Sequence, residues 1–218
     1  MAWNLLAAWL LGIGGCDILA WLGSYYDGPF RLVAGLWMLI TGLWVWRKWY
    51  PRDIAVFSLA GWRVGLIILV VVLMHPMIGG LQGFHAECSR LSPVYFAWCV
   101  VVIGFAEELW WRGIWFEMFK GKPIICIVAG SLAFTAYHFP FQGFELMIGS
   151  GLAIRIFFLG LLFASARYRG TSIGVLALAH GLIDWLQGAI EFQKYTGPVP
   201  FAVCCAILTA IVIRGHHA

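Results

Sequence analysis

Charge is scarce in this chain. Of its 218 residues only 11% are Asp, Glu, Lys or Arg, whereas a soluble domain carries roughly 25%. Hydrophobic residues make up 62%, and the mean hydropathy is +0.89. A water-soluble globule of this size cannot hide so much apolar side chain, which excludes a soluble cytoplasmic enzyme. Disorder is excluded too, because its signature is low hydrophobicity. The formal net charge of +4 is small; loop placement is expected to account for it, and no nucleic-acid partner is implied. None of the six cysteines has CxxC spacing, and all but Cys88 sit inside apolar runs. They read as buried small hydrophobes, not as a disulfide framework. A secretory leader needs a basic start, yet the first basic residue is Arg31. The first apolar run is therefore expected to be a retained span.

What is present is apolar sequence in long runs. A helical span needs about 20 apolar residues. Eight such segments can be drawn, at about 3–24, 29–46, 56–79, 94–119, 123–139, 147–167, 172–192 and 198–213. The expected fold class is all-α, a polytopic membrane helix bundle in one domain, 1–218. Within it, 1–93 holds three spans, 94–192 the polar patterns, and 193–218 the last span and tail. The connectors carry turn chemistry: Tyr26-Asp27-Gly28-Pro29, Tyr50-Pro51-Arg52-Asp53, Gly121-Lys122-Pro123, Phe139-Pro140 and Thr196-Gly197-Pro198. Even-numbered connectors and the C-terminal tail hold Arg47, Lys48, Arg52, Lys120, Lys122, Arg167, Arg169 and Arg214, whereas odd ones hold Arg31, Arg90 and Lys194. The positive-inside rule then puts both termini in the cytoplasm.

An ionisable residue at membrane depth costs at least ~2.5–3.5 kcal/mol on insertion scales and is a functional-site hypothesis by default. Asp17, Arg63, Glu107, Glu108, Arg112, His138, Arg155, His180 and Asp184 qualify. Most fall in spans 4, 5 and 7, as three short patterns: Glu107-Glu108-Leu109-Trp110-Trp111-Arg112, Phe134-Thr135-Ala136-Tyr137-His138 and His180-Gly181-Leu182-Ile183-Asp184. Glu108 and Arg112 are at i,i+4 and can pair on one face. Glu107 is turned about 100° away and aims elsewhere. His180 and Asp184 share the same spacing, as do Phe134 and His138. At 1.5 Å per residue from the cytoplasmic end, Glu107 lies at roughly 20 Å, His138 at about 22 Å, Asp184 at about 18 Å and His180 at about 12 Å. Glu107, His138 and Asp184 thus share a level in the outer half of a core ~30 Å thick, with His180 one turn deeper toward the cytoplasm. Asp17 and Arg63 are expected to pair with each other. Arg155 either pairs with Asp184 or binds a substrate carboxylate.

EExxxR, FxxxH and HxxxD, in this order on three spans, resemble the CAAX protease and bacteriocin-processing family of intramembrane glutamic endopeptidases. The resemblance covers roughly residues 94–192. It implies that Glu107 is the general base on water, with His138 as its partner. It implies that His180 and Asp184 steady the oxyanion, and that Glu108 and Arg112, with Phe134, support the site. The third pattern often ends in Asn, whereas here it ends in Asp184. An ionised Asp184 would repel an oxyanion, so it must be protonated or must orient His180 by accepting its ring N–H. The implied substrate is a protein or peptide with a hydrophobic or lipidated C-terminal tail or leader. The implied location is the bacterial inner membrane.

Three other readings compete. Zinc is not required by this chemistry, although two histidines and two acids could ligate it. A non-catalytic binding or immunity protein could share the scaffold. A proton-coupled transporter would use buried acids as a relay, but the internal repeat common in transporters is lacking. HExxH and GxGD are absent, and Ile148 stands where a GxSG serine motif needs Gly.

Overall fold

Apolar runs punctuated by Gly and Pro fold here into helices joined by tight turns. The computed structural model describes residues 2–25, 30–49, 60–79, 84–86, 92–192 and 198–214. Helix α1 covers 2–25, α2 Phe30–Trp49, α3 Trp62–Gly79, α4 Pro93–Met118 and α5 Ile125–Gln142. A short α6, Phe144–Gly149, precedes α7 (Leu152–Tyr168), α8 (Ile173–Ala189) and α9 (Pro198–Arg214). Apart from turns, the described residues are helical except for strands β1 (Phe84–Ala86) and β2 (Ile190–Phe192), which pair antiparallel with His85 opposite Glu191.

Eight long helices therefore fall on the eight apolar segments, with shifted ends. The seventh segment, drawn to 192, leaves the helix at Ala189 because its last residues form β2. The sixth, drawn from 147, starts at Leu152, because Gly151 at φ +70 breaks the chain after α6. By length and composition, Pro93–Met118 and Ile125–Gln142 suffice to cross a membrane among the described residues. The connectors drawn at 26–29, 50–53 and 196–197, and Cys88, lie outside the described residues.

Two apolar clusters flank the middle of the bundle. One joins α1, α2, α4 and α5 around Met38, Leu109, Trp110, Ile114 and Phe134. Trp110 is fully buried there, and its indole N–H donates to the Met38 carbonyl at 2.8 Å. The other joins α3, α7, α8 and α9 around Ile68, Leu162, Phe163, Leu176 and Ile183. Helix α4 starts from a cap, with Ser92 Oγ accepting the Tyr95 N–H at 3.2 Å and Pro93 at the first helical position. It then winds wide twice, over Trp98–Gly104 and Leu109–Ile114, in π-helical turns on either side of Phe105–Glu108. Such turns concentrate at functional sites.

Helices α4 and α8 touch backbone to backbone. A Cβ on Gly104 would lie 2.6 Å from the Ala177 carbonyl oxygen, and one on Gly181 would collide with Val100 Cα. Gly104 is one turn before Glu108, and Gly181 follows His180. The two missing side chains are what let these polar residues meet.

Candidate active site

Consecutive glutamates on α4 straddle one imidazole on α8. Glu108 Oε1 accepts from His180 Nδ1 at 2.8 Å and from Arg112 Nη1 at 3.1 Å. Glu107 Oε2 lies 3.6 Å from His180 Nε2 and 4.0 Å from His138 Nε2. Asp184 Oδ2 stands 3.6 Å from the same His180 Nε2. The three patterns, up to 77 residues apart in sequence, thus converge on one constellation. Glu108, Arg112, Glu107 and His180 are all buried. No hydrogen bond reaches Glu107 Oε2, the atom that faces both rings.

Local backbone geometry fixes the His138 ring. Its N–H bonds to Thr135 O, three residues back, so the Phe134 carbonyl loses its usual helical donor. His138 Nδ1 takes that carbonyl at 2.8 Å. A carbonyl only accepts, so Nδ1 carries the proton and the neutral ring turns its Nε2 lone pair toward Glu107. Phe134 packs edge-on against His138, with centroids 4.6 Å apart, and the Arg112 guanidinium lies 4.3 Å from the ring centroid on Phe134. One phenyl ring therefore spaces the ion pair from the imidazole.

The constellation opens into a cavity of about 810 Å³. Glu107, His138, His180 and Asp184 line one end, and the remaining wall is mostly apolar, with Val102 and Ile103 from α4 and Ile156 and Leu159 from α7. Such a space suits an apolar ligand oriented by a few polar groups.

Several expectations are refined or overturned. Glu108 is the acceptor for His180, so the ring is held by Glu108 and not by Asp184. Asp17 and Arg63 do not pair: Asp17 Oδ1 is buried without a hydrogen-bond partner, while Arg63 is exposed at the start of α3, over the Trp62 ring. Arg155 stands beside Ile156 but is absent from the cavity lining, within electrostatic reach of Cys205 on α9. Tyr137 was not singled out by its pattern, although it adjoins His138. It lines the cavity, and its hydroxyl donates to Met38 Sδ at 3.2 Å. Among the described residues, no three His, Cys, Asp or Glu groups are arranged to hold a metal ion.

Residues 89–186 match the model of the family described as type II CAAX prenyl endopeptidase, Rce1-like. Over that stretch the chain is similar to the family. The Rce1-like segment contains all three patterns and agrees with the CAAX-protease resemblance that they carry. The similarity is to a family of membrane peptidases and is consistent with the apolar helices of the chain. No curated protein and no solved structure matches the chain.

Proposed function

We propose that the chain is an intramembrane glutamic-type endopeptidase in which Glu107 and His138 activate water. The observation that carries this reading is the unpartnered Glu107 Oε2, buried in the cavity wall 4.0 Å from a ring nitrogen that can only accept. A water between two acceptors donates one hydrogen to each, which aims its lone pairs at a substrate carbonyl. Its oxygen bonds to the carbonyl carbon, its proton moves to Glu107, and the carbonyl oxygen becomes an oxyanion. The proton then passes to the leaving amine as the C–N bond breaks.

His180 faces the developing charge. Its Nδ1 proton is committed to Glu108, so it can serve an oxyanion only with a second proton on Nε2. Glu107, Glu108 and Asp184 surround that ring and offer its charge a counter-ion. Asp184 works best as a neutral donor, or as a spectator to a ring already held by Glu108.

The proposed substrate is a protein or peptide whose hydrophobic or lipidated tail or leader enters the apolar part of the cavity. Eight spans with both termini cytoplasmic remain our reading of the topology, in a bacterial inner membrane. Under it the lining residues Leu32, Val94, Gln142 and Leu152 flank odd-numbered connectors, which supports a mouth at the outer end. That favours the anchor or leader of an exported protein. Reconstituted protein should cleave such a membrane-anchored peptide, and Glu107→Ala should not. Equal cleavage by both ends the proposal. Activity that survives a chelator, in protein without bound zinc, excludes the zinc-dependent variant.

A further inference from the structure

The second π-helical stretch of α4 leaves a loose end. Trp115 N–H bonds five residues back to Trp110 O, whereas Phe119 N–H bonds four back to Trp115 O. The donors of residues 115–119 therefore face one carbonyl too many among residues 110–115. A buried carbonyl without a donor is costly and is normally satisfied from outside the helix. Here the outside donor is Arg167, near the end of α7: its Nε meets the Arg112 carbonyl at 3.1 Å. Its Nη1 reaches the Thr171 carbonyl at 3.2 Å, in the turn before α8. One guanidinium thus ties the residue that pairs with Glu108 to the turn that launches the helix of His180. Ser172 Oγ, next in the chain, accepts the Val175 N–H at 3.2 Å and caps that helix.

We infer that Arg167 is a positioning residue for the proposed hydrolysis, acting through the Arg112 segment to hold Glu108 against His180 Nδ1. The inference rests on the endopeptidase reading for its kinetic consequence, but not for its geometric one. Arginine is needed because a planar fork serves two carbonyls at fixed separation, which the single ammonium of lysine cannot do. Lys120, in a neighbouring connector, instead carries an exposed charge that pairs with Glu117 at 3.2 Å.

The test is Arg167→Lys in full-length protein, which keeps the charge and therefore the orientation of the helices. The expected result is an unchanged KM, a kcat lower by about tenfold, and a displaced ¹⁵N resonance of His180 Nδ1 as the bond to Glu108 loosens. Arg167→Ala should show a larger loss that free guanidinium partly restores. A His180 signal unmoved in folded Arg167→Lys overturns the inference, and so does a kcat loss that merely tracks the amount of folded protein. The ¹⁵N signal is read without substrate. A protein that cleaves nothing would therefore end the peptidase reading while leaving the Arg167 coupling to be judged on the ring.

Discussion

Glu107 and Glu108 are neighbours with opposite surroundings. Glu108 binds a guanidinium and an imidazole through Oε1, its Oε2 being buried without a hydrogen-bond partner, while Glu107 Oε2, which faces both imidazoles, makes no hydrogen bond. The two should respond differently to the same change. Glu107→Gln keeps the shape and removes the base, and cleavage should fall about 10²- to 10⁴-fold with little change in thermal midpoint. Arg112→Ala strands the Glu108 carboxylate in a site with no solvent exposure. It should cost about 3–5 kcal/mol of stability, read as a lower midpoint in detergent; a wild-type midpoint would contradict the pairing. Asp184 tests the division of labour around His180. Since Glu108 already holds the ring, Asp184→Asn should leave cleavage within a few-fold of wild type or raise it. A loss beyond about a hundredfold would mean that the carboxylate itself orients the imidazole. The spacing arithmetic foretold which residues share a face, because i,i+4 contacts are local. It could not foretell that Glu108 would reach across to His180, a pairing set by how two helices meet.

At the scale of helices, apolar run length located the elements and helix-breaking residues limited them. Boundaries failed where a local signal was read too weakly. Gly149-Ser150-Gly151 lies inside the apolar segment 147–167, yet Gly151 at φ +70 separates α6 from α7. The residues of β2 read as helix in a window of sequence, because strand pairing with 84–86 is a long-range event. The π-helical turns also went unread, since their hydrophobic pattern differs little from that of an α-helix. They matter because Glu107 and Glu108 sit between two of them. The contact of α4 with α8 depends on Gly104 and Gly181, both legible only as ordinary glycines. Gly181→Ala puts a methyl group into the backbone of Val100, which cannot yield as a flexible side chain would. It should cost about 1–3 kcal/mol and separate Glu108 from His180, so activity should fall further than stability does. Retained activity in a folded Gly181→Ala protein would show that close backbone contact is not what brings the pair together.

For the whole molecule, two apolar clusters hold the bundle on either side of a polar seam, and the cavity is lined both by that seam and by residues near helix ends. The family was legible because three polar patterns interrupt sequence that is otherwise nearly free of charge. The distribution of basic residues speaks about connectors and not about the site. Structure and charge together make one prediction. Leu32, Val94, Gln142 and Leu152 line the cavity near odd-numbered connectors, and those connectors hold few basic residues. With positive-inside orientation, this end faces away from the cytoplasm. In intact cells, Val94→Cys and Leu152→Cys should react with a membrane-impermeant thiol reagent, and a bound apolar-anchored peptide should slow the reaction. Cys16, Cys99, Cys126 and Cys205 are buried, whereas Cys204 is exposed and Cys88 lies in a connector, so the labelling is done in a background with Cys88 and Cys204 replaced by Ser. Labelling of both positions only after the cytoplasmic face is exposed would reverse the orientation. The proposed substrate would then be a tail presented from the cytoplasm, with the chemistry at Glu107 unchanged.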